Sequence, residues 1–182
     1  MTKSMFANLA REIRFVRGLY RTLQRVKSVD ADSSHLVCDD IEAAVDKYGQ
    51  NTAFEFEGKS VTYAQFDAMA NRFAHWATSR GIKRGDTVAL FMPNRIEYMA
   101  VWYGLTKVGV STALINNQIA GQALVHCLSV SGAAHLICDL ETSTVFETVR
   151  SELPRNMTEW VLGGGQGGAG GTGRGDRDFD RR

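Results

Sequence analysis

No lysine follows Lys107 in this chain of 182 residues. That absence excludes a Walker-type phosphate loop from the glycine-rich end, because such a loop needs Gly-Lys followed by Ser or Thr. Proline is scarce, with only Pro93 and Pro154, so no stiff proline-rich linker exists. The three cysteines, Cys38, Cys127 and Cys138, are far apart and lack any CxxC spacing. An odd count at such spacings gives no disulfide framework and suits a reducing cytosol. Cys127 and Cys138 lie in apolar runs and read as small buried hydrophobes. The four histidines, His35, His75, His126 and His135, have no partner histidine at i+3 or i+4 and no acidic cluster at ligand spacing. His126 and Cys127 are helix neighbours, which point about 100° apart and do not form a nucleophile pair. No window approaches ~18 apolar residues, so no membrane-spanning helix is expected. Net charge is only +1, which removes any global pull toward nucleic acid.

What is present is an ordinary globular composition, 44% hydrophobic and 23% charged, with the charge unevenly placed. Residues 1–27 hold seven basic side chains against one acid, Glu12. Phe6, Leu9, Ile13, Val16, Tyr20 and Leu23 recur there at spacings of three and four, and Arg11, Arg14, Arg17, Arg21 and Arg25 fall on the opposite side. The pattern predicts a basic amphipathic helix over 1–27, with those five arginines as candidate membrane-binding residues facing anionic headgroups. The same pattern also describes a helix docked on its own domain with a solvated basic face, or a targeting presequence. Arginine recurring every few residues breaks the apolar run that a secretory signal requires.

Residues 28–38 read as a polar linker. Beyond it, Asp39 and Asp40 suit the start of a helix and Gly49 its end. "TAFEFEGKSVTY" alternates about Glu57-Gly58-Lys59 as a hairpin does. Thr62 reads as the N-cap of a helix with an apolar stripe of Tyr63, Phe66, Ala70, Phe73 and Ala77, stopped by Gly81. From there the pattern is α/β. "TVALFM", "VSTALI", "AHLICD" and "EWVL" read as apolar strands. Between them lie helices over 93–109, 120–132 and 142–153, ended by Gly109, Gly132 and Pro154. Alternating strands and helices predict a parallel sheet covered on both faces, with right-handed crossovers.

Residues 163–182 are rich in Gly, Arg and Asp. Gly165, Gly167 and Gly170 fit GxGxxG after a strand. That fingerprint works only where a helix opens and presents its amides to a pyrophosphate. "GTGRGDRDFDRR" has no helical periodicity, so a disordered tail is expected. "RGD" at residues 174–176 reads as a chance tripeptide. Glu141, Glu147 and Glu152 read as solvated helix surface. No catalytic, nucleotide-binding or metal-binding residue emerges from these patterns.

The motifs nevertheless point to a family. "TYAQFDAMANRFAHW", "GIKRGDTVALFMPNRIEYM" and "GLTKVG" resemble the early part of the adenylate-forming acyl-CoA synthetases. "ALINNQIAGQALVHCL" resembles the very-long-chain acyl-CoA synthetase and fatty acid transport protein branch. The resemblance covers residues 39–162. It implies the N-terminal part of a large α/β domain, whose full-length relatives use ATP, magnesium and coenzyme A to convert a fatty acid into its thioester through an acyl-adenylate. It also implies a loop of the form TSGTTGxPK, which this sequence does not contain. No catalytic residue is therefore carried over. Pro93, Asn94 and Asn116 match family positions in loops and read as structural.

The resulting expectation is a truncated long-chain or very-long-chain fatty acid–CoA ligase, inactive alone and binding none of those cofactors itself. It would be cytoplasmic and peripheral at an anionic membrane, with fatty acid as the family's substrate and no nucleic acid partner. The alternative is a membrane-peripheral lipid- or partner-binding module without catalysis. The abrupt change in composition after Leu162 fits a frameshifted reading of a GC-rich gene, and an exposed sheet edge would make the chain poorly soluble.

Overall fold

The computed structural model describes residues 2–26, 35–153 and 157–163; the side chains of residues 2–10 and of Arg25 lie outside that description. The linker residues 28–34 and the tail residues 164–182, including the GxGxxG and RGD stretches, also lie outside it. Two units are distinguished, residues 1–39 and 40–182.

The first unit is dominated by α1 (Thr2–Val26), a continuous helix across the basic N-terminal segment. Thr22 returns its hydroxyl to the Gly18 carbonyl at 3.1 Å, a local bond that leaves the helix unbroken. A second helix, α2 (Val37–Tyr48), starts two residues before Asp39. Asp39 therefore stands in its first turn, where its carboxylate accepts the Leu36 amide at 2.7 Å. That is the backward half of a capping box.

In the second unit a hairpin comes first, β1 (Thr52–Phe56) and β2 (Lys59–Thr62), paired antiparallel. Glu57 and Gly58 both have positive φ, 49° and 75°, as a tight two-residue turn of this hand requires. Thr62 then caps α3 (Tyr63–Ser79) with a complete capping box: Gln65 N donates to Thr62 Oγ1 at 3.2 Å, and Thr62 N donates to Gln65 Oε1 at 2.9 Å. Phe66, Ala70, Phe73 and Ala77 of the expected stripe are buried, joined by Ala74 and Trp76.

The remaining elements build a four-stranded parallel sheet in the order β4-β3-β5-β6. Its strands are β3 (Thr87–Phe91), β4 (Ser111–Leu114), β5 (His135–Asp139) and β6 (Thr158–Leu162). β3 pairs with β4 on one side and with β5 on the other, Leu90 opposing both Leu114 and Ile137. α4 (Ile96–Lys107), α5 (Gly121–Ser131) and α6 (Leu140–Glu147) connect them. Ala89, Phe91, Leu136 and Cys138 face one side and pack with Leu124 and Leu128 of α5 and Phe146 of α6. The opposite side carries Trp160, whose ring meets Trp76 of α3 edge-on at 5.1 Å. The central strands are thus buried on both faces, which is why they read as unbroken apolar runs.

α3 and α4 pack against each other at very short range. A Cβ on Gly104 would lie 2.3 Å from the Ala70 carbonyl oxygen, so only glycine admits this crossing. Beside it Phe66 stacks on Tyr103 with ring centroids 5.5 Å apart.

Helix bounds depart from expectation at three places. α2 begins at Val37, so residues 37–38 belong to it and not to the linker read over 28–38. α4 begins at Ile96 rather than Pro93, because residues 93–95 form the loop leaving β3 and Arg95 is fully extended. The last helix does not run to Pro154. Asp139 caps it early, α6 ends at Glu147, and a single 3-10 turn over Arg150–Glu152 follows. Pro154, outside the described residues, does not terminate it.

Candidate functional site

In an open parallel sheet a ligand crevice is expected beyond the carboxyl ends of the strands, where connections leave in opposite directions. Here that point lies between β3 and β5. α4 carries the chain from β3 outward to β4, and α6 carries it from β5 outward to β6.

The residues at this point are Phe91 and the 93–95 loop from β3, and Asp139 and Thr142 from the start of α6. Asp139 Oδ1 accepts the Thr142 amide at 2.9 Å and the Thr142 hydroxyl at 2.7 Å. The same hydroxyl lies 2.6 Å from the Phe91 carbonyl, which ties α6 to β3 across the crevice floor. Arg95 reaches over both strands, with Nη1 3.7 Å from Asp139 Oδ2 and Nε 3.8 Å from Glu97 Oε2. Asp139 and Thr142 are buried.

This arrangement braces the mouth of the sheet. The positive end of the α6 dipole is already occupied by a carboxylate, which repels a phosphate. Arg95 lies near two acids at ion-pair distance, and its buried Nε makes no hydrogen bond among the described residues. Lys107, the last lysine, is held elsewhere, 2.8 Å from Asp67 and 3.1 Å from Glu42. Burial pulls its ammonium down, but hydrogen bonds to Asp67 and Glu42 outweigh that and raise it above its ordinary value. Among the described residues no group of three His, Cys, Asp or Glu side chains could hold a metal ion. The carboxylate at the N-terminus of α6 is thus a poor neighbour for the phosphates of ATP.

The other candidates are packing groups. Cys138 is fully buried, and burial together with the nearby Glu159 pushes its thiol well above the ordinary range. Such a thiol is inert. His126 is exposed while Cys127 is half-buried, so the two face different surroundings. His135 accepts the Trp160 indole N–H at 3.3 Å through Nδ1, and burial lowers its basicity. Asn116 closes a local turn, its Oδ1 accepting the Gln118 amide at 2.9 Å. Glu147 and Glu159 clamp Arg150, and Glu152 accepts from Gln122.

On α1, Arg11, Arg14, Arg17 and Arg21 are all exposed; the side chain of Arg25 lies outside the described residues. Sequence reasoning found this helix but missed the Lys107–Asp67–Glu42 cluster and the Arg95–Asp139 brace. Asp67 and Lys107 are forty residues apart, and no local spacing signals their meeting.

The fold is the N-terminal part of the large domain of adenylate-forming CoA ligases. An anthranilate CoA ligase bound to anthranoyl-AMP has the same fold (TM-score 0.67, 22% identity, 74% of this chain and 26% of that one covered). The N-terminal domain of FACL13 from Mycobacterium tuberculosis superimposes with TM-score 0.64 at 30% identity, over 68% of this chain and 32% of that one. Residues 41–166 match the model of the AMP-binding enzyme family. The chain belongs to that family. It is 37% identical over 103 residues to the long-chain-fatty-acid–CoA ligase FadD13 of Mycobacterium tuberculosis, covering 56% of this chain and 20% of that protein. It is 31% identical over 131 residues to the long-chain fatty acid transport protein 1 of Bos taurus, covering 71% of this chain and 20% of that protein. The chain thus spans about a fifth of the length of these relatives.

Proposed function

We propose that residues 40–163 are the opening portion of a fatty acid–CoA ligase for long or very long acyl chains. In the whole protein a fatty acid carboxylate attacks the α-phosphate of ATP, releasing pyrophosphate and forming an acyl-adenylate. The coenzyme A thiol then displaces AMP to form the thioester. This stretch supplies scaffold to that reaction: its sheet order and its braced strand ends give later parts of the protein a fixed platform. The observation that carries the reading is the family match over residues 41–166, with named relatives that are long-chain fatty acid ligases and transport proteins. Mg-ATP, coenzyme A and fatty acid are bound by parts of the protein other than the described residues, and the reaction takes place in the cytoplasm.

The 182 residues alone are inactive in this proposal, because they hold no lysine-bearing phosphate loop. Two assays with oleate, ATP and coenzyme A test it. The chain alone yields no oleoyl-CoA above a no-enzyme blank. A chimera of the Mycobacterium tuberculosis ligase, its matching segment replaced by residues 41–162, forms oleoyl-CoA. Thioester from the chain alone, or a cooperatively folded chimera with no activity, overturns the proposal.

A further inference from the structure

We propose that α1 is a membrane-surface element that lies on anionic lipid, its apolar arc in the acyl boundary and its arginines among the phosphates. At ~100° per residue its side chains divide the helix surface into two arcs of about equal width. One holds Ile13, Phe15, Val16, Leu19, Tyr20 and Leu23, all exposed, at 48% to 70%. The other holds Arg11, Arg14, Arg17 and Arg21, all exposed. Arg11 and Arg17 flank the apolar arc, where a long side chain can lay its methylenes along the apolar boundary and keep its charge in the headgroups.

Charge selects the occupant. The helix has no acid in its first turn, and Glu12 is the one acid in residues 1–27. A partner must therefore offer an apolar surface bordered on both sides by negative charge along the ~20 Å that residues 11–23 span at 1.5 Å per residue. A bilayer surface containing anionic lipid offers that continuously. No helix among the described residues is long and apolar enough to cross a membrane. Glu12 falls inside the apolar arc, so its charge works against docking. This inference stands independently of the ligase reading, since it uses no residue of the sheet.

The test is flotation of the whole chain with phosphatidylcholine vesicles, with and without 30% (about a third) phosphatidylglycerol. The chain binds the anionic vesicles at least tenfold better than the neutral ones, and added salt weakens that binding. The triple variant Arg14→Glu, Arg17→Glu, Arg21→Glu loses on the order of a hundredfold in partitioning. Leu19→Ser with Leu23→Ser also loses binding, and Glu12→Gln strengthens it. Far-UV circular dichroism confirms that each variant keeps its helix content. Equal binding by the triple variant, equal binding to neutral vesicles, or a lipid-free dimer that Leu19→Ser/Leu23→Ser dissociates would each overturn the proposal. The last outcome assigns the arc to a second copy of the chain.

Discussion

Replacing Gly104 by alanine tests the packing that organises this fold. In an unhindered helix the change stabilises by about 1 kcal/mol, because glycine carries the larger entropy cost on folding. At this position the new Cβ would stand 2.3 Å from the Ala70 carbonyl oxygen and 2.9 Å from the Phe73 Cβ. Both contacts are far inside the ~3.5 Å at which carbon atoms begin to attract. One of them is backbone, so no side-chain rotation relieves it. α3 and α4 must separate by about 1 Å, and a gap of that size forfeits a quarter to a half of each attractive contact across the seam. The Phe66–Tyr103 stack and the Ala70 and Phe73 contacts lie on this seam. Overpacking of this kind costs on the order of 3 kcal/mol. Net of the propensity gain, the variant loses about 2 kcal/mol. Urea unfolding followed by the fluorescence of Trp76 and Trp160 reads the loss. With a slope near 1.5 kcal/mol/M the midpoint falls by about 1.3 M. Gly18→Ala on α1 is the internal control, since no heavy atom lies within 4 Å of a Cβ there. It raises helicity without lowering the midpoint. A Gly104→Ala protein with an unchanged or higher midpoint would refute the close-crossing argument.

Lys107→Met removes the cation from a mostly buried cluster and leaves Asp67 uncompensated, at a cost of roughly 2 to 3 kcal/mol by the same urea assay. Because the folded state raises this ammonium above its ordinary value of 10.5, its stabilisation is complete below that pH and is lost as pH rises through the folded value. The variant should therefore show a smaller fall in stability above pH 10.5 than the parent, and identical alkaline profiles would contradict the assignment. Thr142→Val deletes the hydroxyl between Asp139 and the Phe91 carbonyl, leaving one buried acceptor without its donor and the Asp139 N–H without its acceptor, and costs about 1 to 3 kcal/mol. A melting temperature equal to the parent's would show that the brace contributes nothing.

Much of the architecture was legible because it rests on local chemistry. The Glu57-Gly58 turn, the Thr62–Gln65 capping box and the left-handed stops at Gly81, Gly109 and Gly132 each involve residues a few positions apart. The apolar strands were legible for a related reason, since burial on both faces leaves an unbroken run. The helix over 142–153 was misjudged because Asp139 competes for the start. Its buried carboxylate captures the Thr142 amide and moves the first turn back to Leu140, and the Thr142 hydroxyl of that cap also meets the Phe91 carbonyl fifty-one positions away.

From its sequence alone, then, this protein has a basic amphipathic helix, a parallel α/β sheet and a likeness to one enzyme family, because helix periodicity, turn chemistry and motif spacing are short-range properties. The sequence also excludes a lysine-bearing phosphate loop, since no such string occurs in it. Tertiary structure decided the rest. It set the strand order, the α3–α4 crossing that makes Gly104 indispensable, and the pairing of Lys107 with Asp67 and Glu42. Those outcomes depend on which surfaces meet once the chain has folded. Coulomb energy and steric overlap act on distance in space, and separation along the chain carries no record of it.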